Sequence, residues 1–89
     1  MATLFVRHTV ADYKAWRTVY DGFDPARKTL GVTAAAVYQA SDNPNDITVT
    51  HDFGSVEAAQ AFAGSADLKK AMQQAGVVGA PTVWFANRV

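Results

Sequence analysis

The chain's only two histidines, His8 and His51, sit near the ends of two similar runs, L-F-V-R-H-T-V over residues 4–10 and I-T-V-T-H-D-F over residues 47–53. Imidazole is the side chain whose charge changes near neutral pH, so a pair of them is the first candidate here for general acid and base chemistry. As metal ligands they fall short, because two histidines with no third ligand nearby do not make a zinc or iron site, and the chain has no cysteine. Asp52 is next to His51 in sequence, but strand alternation points it to the opposite face. The competing role for each ring is that of a packed residue bonded to backbone or water.

Both runs must be strands that feed helices. Residues 3 to 9 are rich in β-branched and aromatic side chains, and Asp12 then caps a helix with Tyr13, Trp16, Tyr20 and Phe23 on one face. Gly22 and Pro25 interrupt it, so a kink or a second short helix to Leu30 is expected, ended by Gly31. Strands over residues 33–40 and 47–53 flank the turn-rich S-D-N-P-N-D stretch and should pair antiparallel. Ser55 caps a helix stopped by Gly64, and Ser65 caps another that runs to Gly76. The stretch V-V-G-A-P reads as a loop before a last strand over residues 82–88.

The order β-α-β-β-α-β predicts a single α+β, ferredoxin-like domain over residues 1–89, with a four-stranded antiparallel sheet in the order 4-1-3-2 and helices on one face. A chain of 89 residues buries about two-thirds of its unfolded surface, and without cysteine it has no disulfide to add to its core. Strand one points Leu4 and Val6 one way and Phe5 the other, and strand four sets Val83 and Phe85 against Trp84. Apolar residues on both faces call for a second cover, and a homodimer with sheets face to face supplies it most simply.

Several function classes are excluded. Eight basic residues balance eight acidic ones and no basic stripe occurs, so attraction to nucleic acid or to an anionic membrane is not encoded. No apolar run reaches the roughly 20 residues of a membrane span, and no leader peptide is read, which makes the cytoplasm the expected location. RNA-recognition domains share the topology but need exposed aromatics on strand three in a basic context, and metal-carrier domains need paired cysteines after strand one. Phosphate-cradling glycine loops are missing too.

The start V-R-H-T-V-A-D-Y-K-A-W, the turn S-D-N-P-N-D and the ending A-G-V-V-G-A-P-T-V-W-F, set in this element order, resemble small members of the dimeric α+β barrel superfamily, the group that includes the antibiotic biosynthesis monooxygenases. The resemblance spans nearly the whole chain and implies a homodimer that closes an α+β barrel. It also implies small-molecule chemistry without a bound cofactor: a cofactor-independent oxygenase, a cyclase or an isomerase acting on an aromatic or polyketide-like substrate. The alternative is a non-catalytic dimeric ligand-binding or accessory protein.

Counting back from the two caps places His8 and His51 four residues before Asp12 and Ser55. With strands one and three read as parallel neighbours, the rings are expected level, side by side, beneath the helices. Trp16 and Tyr20 would lie overhead and Trp84 alongside, giving a small-molecule pocket with His8 and His51 as acid/base groups. Arg7 is expected on the opposite face, where it binds an anionic group or, more simply, pairs with a carboxylate.

Overall fold

The computed structural model describes residues 1–89. In chain order it contains β1 (Ala2–Val10), α1 (Tyr13–Gly22), α2 (Asp24–Thr29), β2 (Ala34–Ala40), β3 (Asn43–Phe53), α3 (Val56–Ala63), α4 (Ala66–Gln74) and β4 (Val77–Asn87). One four-stranded sheet has the order β2-β3-β1-β4, and every neighbouring pair is antiparallel. This is the α+β, ferredoxin-like arrangement expected from the element order, with the helices on one face.

Alternation along the strands assigns the faces. Leu4, Val6, His8 and Val10 of β1 and Ile47, Val49, His51 and Phe53 of β3 point under the helices, and all are buried. Trp16 from α1 and Ala59 and Phe62 from α3 complete the core from above. The opposite face carries Thr3, Phe5, Arg7 and Thr9, with Thr48, Thr50 and Asp52 across from them.

The pairing of β1 with β3 corrects one expectation. The two strands are antiparallel, with Leu4 opposite His51 and His8 opposite Ile47. The crossover through α1 and α2 makes β2 run parallel to β1, and the β2–β3 hairpin then reverses β3. Equal counts back from the two helix caps therefore measure from opposite ends of the sheet.

Two turn regions also differ from expectation. The S-D-N-P-N-D stretch is mostly strand: Ala40 pairs with Asn43 while Gln39 pairs with Ile47, which leaves residues 44 to 46 of β3 without a partner on β2. This bulge aims two side chains. Asn45 Oδ1 accepts the Tyr13 backbone N–H at 3.1 Å, and Asp46 reaches Arg7. The V-V-G-A-P stretch is likewise strand, since Val77 and Val78 pair with Val10 and Thr9 before a register shift. Gly79, at φ +74°, occupies that irregularity, where the left-handed backbone suits glycine.

Three caps are as expected. Asp12 accepts from Ala15 N–H at 3.0 Å, Ser55 from Ala58 N–H at 3.2 Å and Ser65 from Leu68 N–H at 3.2 Å. Each satisfies one of the donors that a helix start leaves free. Asn45 adds a long-range partner to the start of α1, tying that helix to the head of β3.

Candidate functional site

His8 and His51 share the covered face of the sheet but lie four pairing positions apart, roughly 13 Å along the strand direction at about 3.3 Å per residue. Rings of α1 fill the interval. His8 lies 5.8 Å from Trp16, Trp16 stacks on Tyr20 at 4.9 Å, and Tyr20 lies 6.5 Å from His51, all between ring centroids. Residues 16 and 20 are one helical turn apart, so a single face of α1 spans the distance. Phe62 of α3 closes the His51 end at 5.1 Å.

Both histidines are almost fully buried, at 6 % and 4 % exposure, and no protein group hydrogen-bonds any of their four ring nitrogens. Leaving buried donors and acceptors unmatched costs free energy, so this polarity is out of place in an ordinary core. Burial lowers the His8 pKa, opposed by the negative charge of Asp46. At His51 burial, reinforced by the Arg27 charge, lowers the pKa to about 4. Both rings are therefore neutral at pH 7, each with one N–H to donate and one nitrogen to accept.

Arg27 is the site residue that sequence reasoning missed. It is 4 % exposed, donates to the Tyr20 carbonyl at 2.5 Å and to Asp24 Oδ1 at 3.2 Å, and its guanidinium lies 3.9 Å from the Tyr20 ring centroid. Its Nε has no protein partner. One signal was available: residues 16, 20, 23 and 27 continue the three- and four-residue spacing of the buried stripe, so an arginine stands where the pattern predicts another apolar residue.

A cavity of about 50 Å³ lies among these groups, lined by His8, His51, Trp16, Tyr20, Arg27 and Phe62 together with aliphatic residues of the sheet and of α4. A water needs roughly 10–15 Å³ by the same measure, so the chamber suits a few waters or a diatomic molecule and is too small for an aromatic ring. No cluster of three or more histidine, cysteine, aspartate or glutamate residues is placed to hold a metal ion.

One residue expected at the site is elsewhere. Trp84 pairs with Phe5 and stacks on it at 5.2 Å with the rings 2° from parallel, on the face away from the helices. It is not a wall of the histidine chamber, because its neighbours Val83 and Phe85 take the helix-facing positions of β4. Arg7 is on that same open face, as expected, and forms an ion pair, but with Asp46, donating through Nη2 at 2.6 Å and Nε at 3.0 Å. The bulge in β3 brings Asp46 within reach.

No protein-family model and no curated protein matches the sequence. Solved structures do. A protein from Bordetella bronchiseptica, named as a candidate antibiotic biosynthesis monooxygenase, superposes with a TM-score of 0.85 at 16 % identity, covering 99 % of this chain and 96 % of that one. SnoaB, a cofactor-independent oxygenase from Streptomyces nogalater, gives 0.76 at 12 % identity over 99 % and 94 % of the two chains. NE2512 of Nitrosomonas europaea, a protein of unknown function, gives 0.74 at 19 % identity over 96 % and 85 %. Across these comparisons the elements coincide from end to end while the side chains diverge, and the chain has the fold of the antibiotic biosynthesis monooxygenase-like proteins.

Proposed function

We propose that the protein is a small-molecule enzyme of the antibiotic biosynthesis monooxygenase type, working without a tightly bound cofactor on an aromatic or polyketide-like substrate. His8 and His51 are its acid/base or orienting groups, and Trp16 and Tyr20 are the chamber walls. The observation that carries this reading is the set of four unpartnered ring nitrogens and the free Arg27 Nε around one small cavity. Removing a proton from a phenol or an activated carbon makes an anion that dioxygen can oxidise directly, and a neutral imidazole can accept that proton. His8, with Asp46 offsetting part of its burial, is the better placed base. His51, with a pKa of about 4, serves as an orienting donor or acceptor. SnoaB, of the same fold, is a cofactor-independent oxygenase, which supports the choice of reaction class.

The functional unit in this reading is a homodimer through the open sheet faces. Exposed Trp84, stacked on half-buried Phe5, and Tyr38, 58 % exposed, supply the apolar contact that such a union needs.

Oxygen uptake with a panel of polycyclic phenols tests the enzyme reading. The expected outcome is uptake dependent on substrate, falling about 10²-fold or more in the His8→Gln/His51→Gln double variant, the usual scale for loss of acid–base catalysis. Uptake unchanged in a folded double variant sinks the assignment. A second reading, a binding module without turnover, is favoured by the low basicity of His51. Substrate binding without any oxygen uptake in the native protein would establish it.

A further inference from the structure

The histidine chamber is too small for an organic substrate, and the spaces beside it bear on where such a molecule lies. On the β4 side the chamber adjoins a groove of about 660 Å³ between α4 and β4, and the two share Val6, Leu68 and Met72 as lining. On the β2 side it adjoins a surface groove through Tyr20 and Arg27, the pair fixed by the guanidinium on the ring and the hydrogen bond to the Tyr20 carbonyl. One partition is held by a cation–π contact and a hydrogen bond to backbone. The other is made of aliphatic side chains, one of them methionine, which changes shape at low cost.

The apolar side is also the less completely packed. Val83 and Phe85 pair with Val6 and Leu4, so they point to the helix-covered face, yet they are 44 % and 39 % exposed while Val6 and Leu4 are buried. The helix layer stops short of β4. No residue of α4 is buried, and the helix is bracketed by Gly64 and by Gly76, whose φ is +77°. Lys69 is the one charged residue lining the groove, and no carboxylate lines it.

We infer that the groove between α4 and β4 receives the apolar body of a molecule bearing one anionic group, such as an aromatic carboxylate. Lys69 holds the anion at the rim, and Leu68 and Met72 form the gate through which the reacting end meets the histidines. This rests on the proposed function and deepens it: the chamber holds the small reactant and the groove holds the organic one. An exposed lysine against a carboxylate contributes modestly, so it selects among apolar ligands and does not by itself create binding.

Methyl and indole NMR of the chain, titrated with 2-naphthoate, neutral 2-naphthol and dissolved xenon, tests the inference. Naphthoate is expected to shift the Met72 and Val83 methyls together with the Trp16 indole. Lys69→Gln should weaken naphthoate about two- to fivefold and leave naphthol unchanged, on the scale of one exposed ion pair. Met72→Trp, with the milder Met72→Phe beside it, should keep the Val83 response and abolish the Trp16 response. If naphthoate shifts Trp16 equally in every variant, the gate and the anchor are overturned while the chamber stands. Xenon entering the chamber, read at the Val49 methyls, with naphthoate silent overturns the groove alone. If both probes are silent, the chamber reading falls with it. Val83 shifts that follow protein concentration in place of ligand concentration would show a second copy in the groove and also overturn the inference.

Discussion

His8 and His51 face the same way from adjacent strands but stand at opposite ends of their pairing, one across from Ile47 and the other across from Leu4, bridged by Trp16 and Tyr20. Two imidazoles held apart in this way do not share a proton directly. Each meets the chamber from its own end, and their environments differ because Asp46 acts on one and Arg27 on the other.

The first prediction concerns their titration. NMR should place the His51 midpoint at about 4 and that of His8 below the ordinary 6.5. Both folded-state values lie below the unfolded value, so the unfolded chain takes up protons first as pH falls. The stability attached to His51 is present above pH 6.5 and is lost as the pH drops toward 4. A shift of that size corresponds to about 3 kcal/mol. His51→Gln should flatten the fall, measured by urea unfolding at pH 7 and at pH 5. A His51 midpoint near 6.5 would refute the burial argument.

Phe62 is the packing centre of the His51 end. It is 1 % exposed, with Phe53 at 5.4 Å and Phe23 at 6.3 Å between centroids. Phe62→Ala should cost about 3–5 kcal/mol, the usual range for emptying a buried aromatic site, and leave the domain largely unfolded at 37 °C. Circular dichroism on heating checks this, and a near-native melting temperature would contradict it.

Asn45 is expected to matter more than a turn asparagine would. Its side chain caps α1 from the bulge in β3, and α1 carries the aromatic bridge. Asn45→Ala should cost about 1 kcal/mol, as loss of a helix cap does, and shift the Trp16 indole resonance. Asp42→Ala, in the turn beside it, should leave that resonance in place.

Trp84 tests the homodimer. It is 39 % exposed and stacked on Phe5, so a substitution there spares the buried core. Trp84→Asp should yield a folded monomer by sedimentation where the native chain sediments as a dimer. A native chain that remains a folded monomer at micromolar concentration would remove the dimer from the proposed function.

Much of this protein was legible in the linear order of its residues. Apolar spacing and the caps Asp12, Ser55 and Ser65 predict helices that the structure contains, and the element order predicts the strand order. Strand alternation correctly puts both histidines under the helices and Arg7 on the open face. These are local properties: a side chain's face follows from the period of its own strand. Alternation carries no information about direction, however; the antiparallel sheet that the element order calls for is what runs β3 against β1 and sets the histidines apart. The same limit applies to Trp84, whose face depends on the register between distant strands. For Arg27 a lone charge in an apolar stripe reads as a break in the pattern until the Tyr20 ring, the Tyr20 carbonyl and Asp24 surround it. Residue type and spacing determined which elements form and which side chains of a strand share a face. Only tertiary structure decided which pointed-in groups meet, because register, bulges and buried charge compensation are set by contacts between residues far apart in the chain.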